Sequence, residues 1–188
     1  MNFRLLFLII SIVWVTSEVL LLVLRRSKND SKDYDRGSIK WLNLIIYSSV
    51  ALAVSFGFIG IGLIHTTFLV LPWIGLCIII IGLIIRWTAI LNLRKFFTTN
   101  IVIQSDHRII RLGIYRFVRH PSYSGAIISF CGLGLAFSNL FSFIIMVLPI
   151  TTAFIKRIQL EEKALRSAFG EEYTDYCNTS WALFPWIY

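Results

Sequence analysis

Within RFVRHPSYSGAII, residues 116–128, two cations, an imidazole, a proline and a phenol stand directly before an apolar run. Arg119 and His120 are donors, Pro121 suits the first turn of a helix, and Tyr123 adds a ring with a hydroxyl. A helix N-terminus also leaves N–H groups unpaired, and these favour anionic or acceptor groups. The alternative is a juxtamembrane basic anchor with an interfacial aromatic. A second cluster follows at Arg157, Glu161 and Glu162. Arg157 and Glu161 are four residues apart, so they share a helix face, either as a surface ion pair or as part of a site. Together the clusters offer a mixed-charge pocket suited to a ligand carrying both charges.

Those residues need elements to hold them, and the composition says which kind. Of the 188 residues, 57% are hydrophobic and 15% charged; soluble chains average roughly 45–50% and about 25%. A hydrocarbon core about 30 Å thick takes roughly 20 apolar residues per helix. Spans are expected at Phe3 to Leu24, Trp41 to about Ile64, and Leu69 to Leu91. The first is too long for a signal-peptide core and is expected to be retained. The shorter runs Tyr123 to Phe137 and Leu140 to Ile155, joined by Ser138-Asn139, read as a tight helical hairpin.

The expected fold is therefore an all-α integral membrane protein of about five transmembrane helices, the last two a short hairpin. Residues 1–91 hold three spans and the loop 25–40. Residues 92–188 hold a cytoplasmic segment (92–120), the hairpin (121–157) and a tail (158–188). Short β-branched runs around Ser105-Asp106 predict a small hairpin within 101–115. In the tail, Ile158, Leu165, Phe169, Tyr173 and Tyr176 recur at helical spacing, which predicts an amphipathic helix.

The net charge of +8 does not indicate nucleic acid, because the cations fall between the spans. Six Lys and Arg lie in 25–40, six in 92–120 and four beyond 155, with none at 65–68 or 138–139. The positive-inside bias then puts the N-terminus outside and the C-terminus in the cytoplasm. Glu18 and Arg86 lie within apolar spans, where each either serves structure or marks function; His65 is assigned no role. Cys77, Cys131 and Cys177 form no CxxC pair, so neither a disulfide framework nor a metal site is expected. No Gly-rich fingerprint opens a βαβ unit, and GLGLAF (132–137) reads as small-residue helix packing. Nothing in the sequence specifies an oligomeric state.

GIYRFVRHPSYSG (113–125), followed after the hairpin by RIQLEEKALRSAFGEEYTDY (157–176), resembles the isoprenylcysteine carboxyl methyltransferase family over roughly residues 92–185. The resemblance implies an integral membrane enzyme that uses S-adenosylmethionine to methylate a lipophilic carboxylate acceptor. By the same resemblance, NIVIQ supplies Gln104, the following segment His107, Arg108, Ile109 and Ile110, and GIY supplies Tyr115 to the cofactor pocket. HPSY adds His120, Pro121, Ser122 and Tyr123, and Glu161 completes the cofactor site. Arg157 matches the arginine that meets the substrate.

Methyl transfer to a carboxylate needs alignment and dehydration more than a base, since the nucleophile is already ionised. A phospholipid amine acceptor would instead need a base, with His107 or His120 the candidates. A non-enzymatic scaffold binding anionic lipid through its basic loops is the remaining class, while a nicotinamide-dependent reductase would need a second phosphate-binding region, for which there is no candidate.

Overall fold

A computed structural model describes residues 3–24, 37–64, 70–101, 103 and 108–188. Six α-helices follow in order: α1 (Phe3–Leu24), α2 (Ser38–Ile59), α3 (Val70–Leu93), α4 (Pro121–Ala136), α5 (Leu140–Phe169) and α6 (Glu171–Asn178). Short 3₁₀ turns occupy Arg94–Phe96 and Gly113–Arg116. α1, α2, α3 and α5 are long and apolar enough to cross a membrane. The fifth expected span, α4, has 16 residues and packs between α3 and α5. At 1.5 Å per residue it is about 24 Å long, somewhat shorter than the hydrocarbon thickness.

Glycines make the closest seam. Gly75 faces Gly132, and Gly82 faces Gly125, so α3 and α4 run antiparallel. A Cβ on Gly132 would sit 2.6 Å from the Gly75 carbonyl oxygen, and one on Gly125 2.6 Å from the Arg86 nitrogen. Seven-residue spacing puts both glycines of each helix on one face, and small residues let membrane helices approach to backbone contact. The GLGLAF expectation holds: Gly134 packs on Phe143 of α5.

At one end of the bundle the Ser138-Asn139 turn forms as expected. Asn139 is buried; its side chain caps α5 by accepting from the Ser142 N–H at 3.0 Å and donates to the Ile61 carbonyl at 2.8 Å. The Ile64 N–H donates to the Ser138 carbonyl and the Leu140 N–H to that of Gly62, so the end of α2 and the α4–α5 turn are tied together. The opposite end gathers the starts of α2 and α4 with the end of α3.

Two local expectations change. The hairpin was expected to end near Arg157, but α5 continues to Phe169 without a break. Residues 156–169, KRIQLEEKALRSAF, hold no Gly or Pro and are rich in strong helix formers. Pro149 lies within α5 without ending it, as membrane helices permit. Gly170 then adopts φ 55°, and this turn splits the predicted tail helix in two. The second change concerns the segment 101–115. No strand forms among its described residues; Gly113–Arg116 make a 3₁₀ turn instead, while 102 and 104–107 lie outside the described residues.

Candidate functional site at the bundle end

Because α5 is about 45 Å long at 1.5 Å per residue, its last turns extend past an apolar layer about 30 Å thick. Those turns carry Arg157, Glu161 and Glu162 to the start of α4, where His120 precedes Pro121 at the first helical position. His120 is buried, with Nε2 3.3 Å from Glu162 Oε1 and Nδ1 3.9 Å from Glu161 Oε1. The Arg119 Nε donates to the same Glu162 oxygen at 2.9 Å. Glu162 is thus held by two neighbouring donors, leaving Glu161 turned towards Tyr123.

Tyr123 is the hinge of the arrangement. Its hydroxyl donates to Glu161 Oε2 at 2.8 Å and accepts from Arg157 Nε at 3.2 Å. Its ring packs on His120 and Phe154, with centroids 5.9 and 5.3 Å away. Arg157 is only 3% exposed. Its remaining nitrogens donate to Ser38 Oγ at 2.6 Å, on the first residue of α2, and to the Thr99 carbonyl at 2.5 Å. The i,i+4 relation of Arg157 and Glu161 therefore includes a shared partner, the Tyr123 hydroxyl.

The C-terminal segment straps this end. The Arg119 and His120 N–H groups donate to the Trp181 and Ala182 carbonyls at 2.8 and 3.0 Å, and Trp181 N–H returns to Phe117. Ser124 Oγ donates to the Leu183 carbonyl at 2.6 Å. The Arg119 guanidinium donates to the Cys177 and Ser180 carbonyls. Tyr176 donates to the Tyr115 carbonyl at 2.5 Å, and burial pushes the Tyr176 phenol up, so it stays a donor. Burial first, and the Glu161 carboxylate second, likewise push the Tyr115 phenol far above its ordinary value.

Two cavities meet here. A cleft of about 580 Å³ is lined by Tyr115, Arg119, His120, Ser122, Tyr123 and Glu161, with Phe96, Asn100 and Ile101 on the facing side. A larger, mainly apolar chamber of about 830 Å³ lies between α1, α2, α4 and α5. Tyr123 and Arg157 line both, as do Phe97 and Thr98.

Of the sequence-predicted residues, Tyr115, His120, Ser122, Tyr123, Arg157 and Glu161 come together at the cleft. Pro121 is buried behind it and starts α4. Arg108 lies over the Phe96 ring, one layer out, and Ile109 and Ile110 do not line it. Gln104 and His107 lie outside the described residues, as does His65. Sequence reasoning missed Ser38 and Thr99, which hold Arg157, and Arg119 as a Glu162 partner; no local motif marks the first two. It also treated Glu18 and Arg86 separately. They form one bidentate pair, with Arg86 Nε and Nη2 donating to Glu18 at 2.5 and 2.6 Å. Arg86 Nη1 donates to the Ser122 carbonyl at 3.0 Å. No group of metal-ligating side chains occurs among the described residues.

A helical bundle of membrane-crossing length, with a polar cleft and an apolar chamber sharing a wall at one end, defines an integral membrane protein. The family model for isoprenylcysteine carboxyl methyltransferases matches residues 73–167, the stretch that carries most of α3, all of α4 and most of α5. A protein of Oryza sativa subsp. indica, named "Probable protein-S-isoprenylcysteine O-methyltransferase", is 32% identical over 166 residues, covering 82% of this chain and 85% of its own. "Protein-S-isoprenylcysteine O-methyltransferase B" of Arabidopsis thaliana is 38% identical over 106 residues, 55% of this chain and 54% of its own. A solved structure of the eukaryotic intramembrane Ras methyltransferase superposes with a TM-score of 0.64 at 28% identity, over 79% of this chain and 53% of that one. The chain belongs to the isoprenylcysteine carboxyl methyltransferase family, and it is a membrane methyltransferase.

Proposed function

We propose that this protein methylates the carboxylate of an isoprenylcysteine or similar lipophilic acid, with S-adenosylmethionine as the methyl donor. One observation carries the reading: Arg157 and Tyr123 stand in the wall shared by a polar cleft and an apolar chamber. A carboxylate attached to a lipid tail fits that boundary, since Arg157 presents a charged fork where apolar walls begin.

The cleft residues suit the donor. When bound, S-adenosylmethionine supplies an electrophilic methyl group on a sulfonium. Glu161 gives the negative charge that a cationic ligand needs, beside the rings of Tyr115, His120 and Tyr123. Apolar Ile101, Ile103 and Leu165 line the same cleft and exclude water. On the acceptor side, Arg157 binds the carboxylate and aims it, with Ser38, Thr99 and Tyr123 fixing the guanidinium plane. No base is required, because the acceptor is ionised near neutral pH. Orientation and dehydration supply most of the acceleration.

The reading also puts the cleft at the cytoplasmic face. The Lys- and Arg-rich segments 92–120 and 156–166 share the bundle end that carries the cleft, opposite the uncharged Ser138-Asn139 turn. Calorimetry of detergent-purified protein with S-adenosylmethionine tests the donor. Saturable binding lost in Glu161→Ala and His120→Ala is the expected result. A folded wild type that binds none of it overturns the assignment.

A further inference from the structure

The chamber has a floor. From the Arg157 and Tyr123 boundary its lining descends α4 through Ala126 to Phe130, and α1 from Leu22 to Trp14. Seven residues on α4 and eight on α1 correspond to about 10 and 12 Å at 1.5 Å per residue. At that depth the two linings converge: the Trp14 and Phe130 rings lie 5.1 Å apart at an interplanar angle of 57°. Trp14 is buried, although most of α1 turns large apolar side chains outward. Midway, the Glu18 carboxylate is neutralised by Arg86, so the wall between boundary and floor carries no net charge.

Resting on the proposed reaction, we propose that the Trp14–Phe130 ring pair closes the acceptor chamber and selects acceptors by the length of their apolar chain. A tail long enough to fill the chamber buries its last atoms against two rings. A longer one has to displace a ring or bend, because packed interiors give way poorly. The geometry offers one competing path: α1 packs on α3 and α2 on α5, so a tail leaving between α1 and α2 would never meet the rings.

The experiment measures kcat/KM for S-geranyl-, S-farnesyl- and S-geranylgeranyl-cysteine acceptors in detergent, with S-adenosylmethionine saturating. Wild type is compared with Trp14→Ala, Phe130→Ala and the milder Trp14→Phe. Trp73→Ala removes a ring from a different α1 contact, the one between Phe3 and Trp73 of α3, and serves as the control. Each alanine variant is expected to raise the geranylgeranyl-to-farnesyl ratio about tenfold or more, the scale of one methylene in an apolar pocket, with Trp14→Phe intermediate and the control unchanged. A uniform loss on all three acceptors, or an unchanged ratio, overturns the floor. Should the alanine variants not fold, a farnesyl acceptor with a photoreactive group on its last isoprene unit is crosslinked to wild type. Labelling of residues 14 or 130 supports the floor, and labelling confined to lipid or to the α1–α2 gap overturns it. Wild type that turns over none of the three acceptors overturns the reaction itself, and the floor with it.

Discussion

The Tyr123 hydroxyl donates to Glu161 across 2.8 Å while it accepts from Arg157, so one oxygen links the residue facing the cleft to the residue facing the chamber. Tyr123→Phe keeps the ring, and so its packing on Phe154, but leaves both neighbours short of a partner. An unmet hydrogen bond of this kind costs about 1–3 kcal/mol. Methyl transfer is expected to fall about tenfold to a hundredfold and the thermal midpoint to drop by a few degrees, measured by donor turnover and by thermal shift.

Arg157 holds its fork through three separate acceptors: Ser38, Thr99 and Tyr123. Lysine has one charged nitrogen and cannot reproduce that plane. Arg157→Lys is expected to raise the acceptor KM about tenfold or more while leaving donor binding intact. Steady-state kinetics at varied acceptor, beside calorimetry of the donor, separates the two. Loss of donor binding as well would assign Arg157 to the donor rather than to the acceptor.

The Glu18–Arg86 pair joins α1 to α3 at part-buried positions, 32% and 12% exposed by side chain. Removing one partner of such a pair strands the other charge, which costs about 3–5 kcal/mol when fully buried and less here. Glu18→Ala is expected to lower the thermal midpoint clearly. The double replacement Glu18→Leu with Arg86→Met is expected to recover most of that loss. A double variant as unstable as the sum of the singles would show that the charges themselves, not their pairing, are needed.

Gly125 meets the Gly82 carbonyl oxygen and Arg86 backbone where no Cβ fits. Gly125→Val is expected to prevent assembly of α3 with α4, read as loss of the monodisperse peak in size-exclusion chromatography. Gly37, with nothing near its missing Cβ, lies outside this seam; its positive φ still makes it a poor control, so Ser48→Ala on exposed α2 surface serves instead.

In the strap, Trp181 and Ala182 pair with the backbone of residues 117–120, and Leu183 enters the core beside Ile127 and Phe154. Leu183→Asp puts an unpaired charge there. It is expected to abolish donor binding while the remaining helices keep their far-ultraviolet circular dichroism. Unchanged binding would mean that His120 and Arg119 are held without the strap.

The span assignment was legible because the membrane imposes it: each crossing needs a long apolar run, and these runs stand out in a single chain. The end of α5 was less legible. The change from apolar to charged residues at Lys156 looks like an element boundary, yet polarity marks where a helix leaves lipid, not where it stops. Backbone propensity decides the stop, and it placed it at Gly170.

The sequence by itself determined a membrane bundle, its tight α4–α5 turn, and a motif that brings His120, Tyr123, Arg157 and Glu161 into one family pattern. Local spacing and runs of like character carry the first two, while the third rests on the resemblance of residues 113–125 and 157–176 to one family. Only the tertiary structure decided that Ser38 and Thr99 hold Arg157, that Glu18 pairs with Arg86 over 68 positions, and that Trp14 meets Phe130. Those contacts join different helices, and which faces meet is set by the glycine seam and by side-chain packing, which no local pattern encodes.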